Sequence, residues 1–134
     1  MLRLNPEQLV FVTERHLATL TTLRADGSPH VTPVAFMWDP ATGTAVMTTE
    51  RTSAKALNAR RRGPGGTAPR AALCQVAGGR WLTLEGTIEA DDDPAAVADA
   101  VARHARRYHP LEPDEERIVL RLRADRVLAS DYMA

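Results

Sequence analysis

The amino-acid sequence predicts a mainly β, α+β fold, namely an antiparallel barrel of six short strands with two or three peripheral helices. Three observations support this fold class. Several short segments are rich in β-branched and apolar residues, turn residues join most of them as hairpins, and the helical segments are too few for a parallel βαβ sheet. At 134 residues the chain is about one domain long, so we expect residues 1–134 to form a single domain.

The first elements are a helix and a hairpin. Asn5 can cap a short helix. Residues 17–23 are rich in threonine and leucine and predict a strand, which the Asp-Gly pair at 26–27 connects to the next strand through a two-residue turn. That second strand, residues 30–38, contains Pro33. Because proline has no N–H to donate, Pro33 indicates an edge or a bulge, where backbone groups are free to face something else.

The central part of the chain adds a strand, a helix and a loop. Residues 44–49 predict the third strand. Thr52 or Ser53 can cap a helix that runs to about Arg62. Residues 63–69 are rich in glycine and proline and indicate a flexible loop that is longer than a tight connection needs.

The last third of the chain completes the predicted barrel. A glycine-containing hairpin joins strands at residues 70–76 and 80–89, and residues 118–128 form the last strand. Between them, Asp93 precedes a proline and can cap a helix. One stripe of this helix is expected to face the core, and it consists of Val97, Val101, His104 and Tyr108.

The overall composition excludes several classes of protein. The 17 basic and 17 acidic residues balance, so no net charge attracts nucleic acid or an anionic membrane. No apolar run is long enough to span a membrane. The single Cys74 excludes an intrachain disulfide and a cysteine metal cluster, and it fits a reducing cytosol. We therefore expect a cytoplasmic protein without a metal site, a nucleic-acid partner or a membrane partner.

Lys55 is the only lysine among the 17 basic residues of the sequence, and it lies in the helix predicted after the third strand. Lysine is a compact point charge that can hold a phosphate among hydroxyl and backbone donors. Asn58 follows three residues later on the same helical face, and Thr48 and Thr49 precede the helix. Leu57 is expected to point away from this face, towards the core. A phosphate site is one interpretation. The alternative is an ordinary capped amphipathic helix with a solvated basic face, and the spacing alone leaves both open.

An ordered set of motifs resembles one known family. These motifs are the opening hairpin at residues 15–34, the Lys55-x-x-Asn58 helix, and the segments 71–75 and 79–86. Together they resemble the pyridoxamine-phosphate-oxidase-like split β-barrel family, which binds FMN or a deazaflavin. The resemblance is greatest to its short actinobacterial branch of oxidoreductases that use coenzyme F420, a deazaflavin, and are of the biliverdin reductase type.

The resemblance implies a homodimer with a cofactor in each of two grooves at the interface. It implies that backbone beside the cofactor ring comes from Pro33, Val34, Ala35 and Phe36. It assigns the phosphate to Thr48, Thr49, Arg51, Thr52, Lys55 and Asn58. It implies that the partner chain adds Gln75, Arg80 and Trp81, and that an oligoglutamate tail crosses Arg60, Arg61 and Arg62.

The function implied by the resemblance is hydride transfer from reduced coenzyme F420 to a conjugated acceptor such as biliverdin or a similar enone or tetrapyrrole. Two alternatives remain open: an FMN-dependent oxidase or reductase on the same barrel, and a non-catalytic carrier of a cofactor or tetrapyrrole. No dedicated general acid is evident. The candidates are His16, His30, His104 and Tyr108, although water could also deliver the proton.

Overall fold

A computed structural model describes all 134 residues as one antiparallel sheet of seven strands with three α-helices against it. The helices are α1 (Pro6–Thr13), α2 (Ala54–Arg60) and α3 (Pro94–Arg107). The strands are β1 (Ala18–Leu23), β2 (Pro29–Val34), β3 (Met37–Asp39), β4 (Thr44–Glu50), β5 (Arg70–Ala77), β6 (Arg80–Asp91) and β7 (Arg117–Ala129). The sheet order is β2-β1-β5-β6-β7-β4-β3. The predicted mainly β, antiparallel class is confirmed.

The sheet curls into an open barrel because its two edge strands are neighbours in the sequence. β2 and β3 lie at opposite ends of the strand order, yet only Ala35 and Phe36 separate them along the chain. The three Cα–Cα steps from Val34 to Met37 cover at most about 11 Å, so the edges of the sheet must approach each other. The strand predicted at residues 30–38 is therefore two strands, and the count is seven instead of six, because the chain leaves its pairing with β1 and begins pairing with β4.

The core lies inside this curved sheet. Side chains of β5 alternate along the strand, with Ala71, Leu73 and Gln75 buried and the residues between them more exposed. A cluster of 21 buried apolar residues fills the interior, and Phe11 and Phe36 are its largest members. A smaller cluster lies under α3. The sheet and α1 therefore enclose one main core.

Each helix begins at a side-chain cap. The side chain of Asn5 accepts the N–H of Gln8, and the Gln8 side chain accepts the N–H of Asn5, so both groups are satisfied in a capping box. Ser53 and Asp93 cap α2 and α3. The predicted helix starts are confirmed, with Ser53 instead of Thr52 as the cap of α2. None of the three helices is long and apolar enough to cross a membrane.

The prediction that Leu57 faces the core is wrong. With α2 beginning at Ala54, the buried face consists of Ala56, Asn58 and Ala59, and Leu57 is 52% exposed. Small residues on that face let the helix pack closely against the sheet. The helix also ends at Arg60, two residues earlier than predicted.

Candidate cofactor site at the end of β4

Lys55 lies in the first turn of α2, a few residues after the end of β4. Lys55 is half-buried, and no hydrogen bond or ion pair joins it to another side chain. The neighbouring hydroxyls are ordered, because Thr49 Oγ1 donates to Ser53 Oγ at 2.8 Å and Ser53 Oγ accepts the N–H of Ala56 at 3.2 Å. Because Ser53 Oγ already accepts this N–H, an anion at the start of the short helix would be bound mainly by side chains.

Asn58 fastens α2 to the sheet. The residue is 5% exposed, and its side-chain N–H donates to Thr22 Oγ1 at 3.0 Å. Its side-chain oxygen accepts from Arg61 at 2.9 Å, while Arg61 also donates to the carbonyl of Leu23 at 3.1 Å. Asn58 therefore fixes the helix that carries Lys55, and both its amide atoms have partners within the chain.

The arginines around Lys55 already have partners of their own. Arg51 Nε lies 3.0 Å from Glu116 Oε2. Arg60 donates to the carbonyl of Arg51 at 2.9 Å, and Arg62 lies 3.4 Å from the carbonyl of Gly66. Of the remaining predicted phosphate ligands, Thr48 is half-buried and Thr52 is exposed. Within this cluster Lys55 is the cation that has neither a hydrogen-bond partner nor an ion-pair partner, and threonine and serine hydroxyls lie on the adjoining residues of β4 and α2, so these residue types suit a phosphate.

The second part of the predicted site is the short link between β2 and β3. Pro33 is exposed, Val34 and Phe36 are buried, and Ala35 is half-buried. Neither backbone group of Ala35 pairs with another backbone group, because the residue lies outside both strands. The backbone groups that were expected to be free near Pro33 are therefore those of Ala35, two residues later, where the chain changes partner strand.

The end of α3 contacts this link. Arg107 Nη1 donates to the carbonyl of Phe36, and its guanidinium carbon lies 4.5 Å from the centroid of the Phe36 ring. Tyr108 Oη lies 3.4 Å from the N–H of Phe36. Burial lowers the pKa of Arg107 and raises the pKa of Tyr108, since both groups lose hydration that favours their charged forms.

The three residues expected to serve a partner chain have different environments. Gln75 is fully buried, where its side chain donates to the carbonyl of Phe11 at 2.8 Å and accepts from Arg107 at 2.7 Å. The structure thus places Gln75 in the interior instead of on the surface. Arg80 makes two hydrogen bonds to Glu14, at 2.9 and 2.8 Å, and Trp81 is 37% exposed.

The hydrogen bonds from Arg80 hold the pKa of Glu14 below its ordinary value. Of the proton-donor candidates, His16 lies 3.1 Å from Glu14, and His104 lies 2.8 Å from the carbonyl of His109. Tyr108 Oη donates to the carbonyl of His16 at 2.7 Å. These three side chains already have structural partners, whereas Nδ1 of His30 is buried without one.

One face of the sheet exposes apolar side chains over several adjacent strands. Side chains alternate between the two faces along each strand, and the pairing of the strands aligns one row of residues on this face. The row runs across β2, β1, β5, β6 and β7 through Pro33, Thr19, Cys74, Thr83 and Leu128. We name this surface the outer sheet face, and its exposed large apolar residues are Leu23, Val31, Val76, Trp81 and Leu128. α3 packs on the outer side of the sheet only at its other end, against Met37, Val46 and Val119, so these five apolar residues stay exposed, as at an interaction surface.

Several residues that shape the site were not predicted from the sequence. Thr22, Glu14 and Arg107 contact predicted site residues, but each does so across a long stretch of chain: 36 residues between Thr22 and Asn58, and 71 between Phe36 and Arg107. No local pattern signals such pairs. Ser53 was predicted only as a helix cap, and its capping role indicated its place beside Lys55.

Comparison with known proteins identifies close relatives. The sequence profile described as pyridoxamine 5'-phosphate oxidase matches residues 4–131. The F420H(2)-dependent biliverdin reductase of Mycobacterium tuberculosis (strain CDC 1551 / Oshkosh) is 48% identical over 128 residues, which cover 96% of this chain and 89% of that protein.

Solved structures agree with this relationship at the level of the fold. The conserved hypothetical protein Rv2991 from Mycobacterium tuberculosis superimposes with a TM-score of 0.79 and 25% identity, over 98% of this chain and 87% of that one. A protein described as F420 reductase superimposes with a TM-score of 0.72 and 22% identity, over 89% of this chain and 94% of that one. With the profile matching almost the whole chain and a relative sharing nearly half its residues, the protein belongs to the pyridoxamine 5'-phosphate oxidase family.

Proposed function

We propose that this protein is an oxidoreductase that transfers hydride from reduced coenzyme F420 to biliverdin or to a similar conjugated enone or tetrapyrrole. The observation that carries this proposal is the 48% identity, across 96% of the chain, to a protein named as an F420H(2)-dependent biliverdin reductase. The unpartnered Lys55, which follows the threonines at the end of β4, supports it, because the cofactor carries a phosphate that needs a cationic site.

At the phosphate end of the site, some residues contact the phosphate and others hold the contacting residues in place. Lys55 supplies the charge, and the hydroxyls of Thr48 and Thr52 are accessible enough to donate alongside it. Thr49 and Asn58 act mainly through their neighbours, since Thr49 orders the Ser53 cap and Asn58 ties α2 to β1. Arg51, Arg60 and Arg61 form the surrounding basic surface, over which an acidic tail can leave the site.

At the other end of the site, the chain between β2 and β3 lies beside the cofactor ring. A reduced deazaflavin supplies the hydride, and the protein supplies placement. The exposed Pro33 and the unpaired backbone groups of Ala35 are available for contact, while the side chains of Val34 and Phe36 are buried in the core. Holding an acceptor against a fixed ring at reaction distance is how such a groove increases the rate.

We further propose that two chains pair through the outer sheet face. Val31 and Val76 are 59% and 60% exposed there, and Trp81 adds an aromatic side chain of the kind that interfaces favour. A second copy is the occupant that the family implies. Pairing would bring Arg80 and Trp81 towards the groove of the partner, and Glu14 would hold Arg80 in place for that contact.

The single free cysteine and the use of coenzyme F420 by the relative both support a cytoplasmic location. The proposal of function is tested by mixing the purified protein with reduced coenzyme F420 and biliverdin without oxygen, and following the absorbance of both compounds. Consumption of both in equal amounts is expected. A protein that binds the cofactor but leaves biliverdin and other conjugated acceptors unchanged is a carrier, and that result contradicts the proposed reaction.

A further inference from the structure

The link between the two edge strands has no support from the sheet itself. Ala35 and Phe36 lie outside β2 and β3, and neither forms a hydrogen bond with another backbone group. The conformation of this link must therefore be fixed by side chains. Those side chains belong to the last turn of α3 and the residue after it, which are more than 70 residues away in the sequence.

Arg107 joins three separate parts of the chain at the link. Its guanidinium donates to the carbonyl of Glu14 at 3.1 and 2.7 Å, to the side-chain oxygen of Gln75 at 2.7 Å, and to the carbonyl of Phe36. None of these acceptors is a carboxylate. Burying a cation without an opposite charge is costly. The hydrogen bonds that the planar guanidinium donates to several oxygens must therefore replace the hydration that Arg107 loses.

Arg106 shows that burial is not required of an arginine at this end of α3. It is the preceding residue, it is exposed, and it forms no hydrogen bond or ion pair. Arg107 differs from it because its side chain lies against the link. Its guanidinium carbon is 4.5 Å from the centroid of the Phe36 ring and 4.9 Å from that of the Tyr108 ring. The contrast indicates that the contacts of Arg107, and not helix-end charge alone, account for its position.

Tyr108 completes the support from the other side. Its hydroxyl has one proton and lies 2.7 Å from the carbonyl of His16 but 3.3 Å from that of Phe36, so it donates to His16. Its oxygen is then free to accept the N–H of Phe36, at 3.4 Å. Both backbone groups of Phe36 are therefore held by α3 and its C-terminal cap.

We propose that Arg107 and Tyr108 are positioning residues for the reaction: by holding both backbone groups of Phe36 they fix the backbone of Ala35 against the cofactor ring. This inference rests on the proposed function, because that function places the ring beside residues 33–36. Neither residue needs to touch the cofactor. Loosening their contacts should let the link move, which lowers the rate of hydride transfer more than it lowers affinity for a cofactor whose phosphate is bound elsewhere.

Three variants test this inference. Arg107→Lys keeps the charge, but one ammonium cannot reach the carbonyls of Glu14 and Phe36 and the side chain of Gln75 together. Tyr108→Phe removes only the hydroxyl. Arg106→Lys is the matched control, since it makes the same substitution at the exposed neighbour. If Arg107→Lys does not fold, Tyr108→Phe decides the question alone.

Two measurements separate positioning from a general loss of stability. In the cofactor-free protein, amide hydrogen exchange of Phe36 should be faster in Arg107→Lys and Tyr108→Phe than in Arg106→Lys, while exchange of amides in β5 and β6 stays unchanged. In the loaded enzyme, kcat should fall roughly tenfold or more, as expected for a displaced reacting pair, while the Kd for coenzyme F420 changes by less than about threefold.

Folded variants with wild-type exchange at Phe36 and wild-type kcat would overturn the inference. So would a loss of activity that follows only the fraction of unfolded protein. A wild-type protein that neither binds coenzyme F420 nor reduces biliverdin would instead contradict the proposed function. The exchange measurement on cofactor-free protein distinguishes these cases, because it reports the contacts of Phe36 whatever the cofactor is.

Discussion

The side-chain amide of Asn58 donates a hydrogen bond to the hydroxyl of Thr22 across 3.0 Å, and this bond joins α2 to β1 inside the protein. Lys55 lies three residues earlier in the same helix and has no such partner. One residue of the Lys55-x-x-Asn58 pair therefore fixes the helix, and the other carries the charge that the helix presents. The two residues should respond differently to substitution.

Removing the ammonium should weaken cofactor binding without unfolding the protein. We expect Lys55→Ala to raise the Kd for coenzyme F420 by roughly tenfold or more, because a charge-assisted phosphate contact is lost. Lys55→Arg should have a smaller effect, since the charge remains but its geometry changes. Fluorescence titration measures both, with Arg106→Ala as a control at an exposed arginine of α3. Equal affinity for wild type and Lys55→Ala would rule out the phosphate role.

Removing the amide should mainly destabilise the fold. Asn58→Ala leaves the buried hydroxyl of Thr22 without its donor and frees Arg61, so we expect the free energy of unfolding to fall by about 1–3 kcal/mol. Leu57→Ala, at the exposed neighbour, should change it by less than about 0.5 kcal/mol. Denaturant unfolding measures both values. Similar stabilities for the two variants would show that Asn58 does not anchor the helix.

The contact between Glu14 and Arg80 should make stability depend on pH. The pKa of Glu14 is lower in the folded chain, so its contribution is present above its unfolded pKa and is lost as the pH falls through the folded pKa. The difference in unfolding free energy between wild type and Glu14→Gln should thus shrink between about pH 5 and pH 3. Glu7→Gln, at an exposed glutamate of α1, serves as the control. A difference that stays constant from pH 7 to pH 3 would contradict this explanation.

A charge on the outer sheet face should prevent dimer formation. Val76→Glu places a carboxylate on an apolar surface where burial would be costly, so the variant should elute with the mass of one chain while wild type has twice that mass. Ala102→Glu introduces the same charge at an exposed position of α3, which packs against β3, β4 and β7 at the other end of the sheet, and should leave the mass unchanged. Light scattering after gel filtration measures the masses. A dimeric Val76→Glu protein would place the interface elsewhere.

Local sequence signals predicted the elements well. The Ser53 and Asp93 caps, the Asp-Gly turn and the alternating strands each depend on neighbouring residues, and the structure confirms the elements they indicate. The split of residues 30–38 into β2 and β3 was missed because it arises from a change of partner strand. Leu57 was misplaced because its apolar side chain was assigned to the core, whereas the buried face of α2 consists of the small residues Ala56 and Ala59 together with Asn58.

The candidate site was only partly predictable for a related reason. Lys55 and its threonines are close in sequence, so spacing could indicate them. The burial of Gln75 and the role of Arg107 depend on contacts between distant segments, including a bond across 32 residues that joins these two side chains. A sequence pattern shows that Arg107 lies near a helix end, but not that the helix end lies beneath Phe36.

The most direct test of the proposed function is an equilibrium titration of the purified protein with coenzyme F420 and, separately, with FMN. We predict that coenzyme F420 binds at least about tenfold more tightly than FMN, which corresponds to about 1.4 kcal/mol of binding free energy. Tight binding of FMN together with negligible binding of coenzyme F420 would contradict the proposal, and would make the protein an FMN-dependent member of the same family.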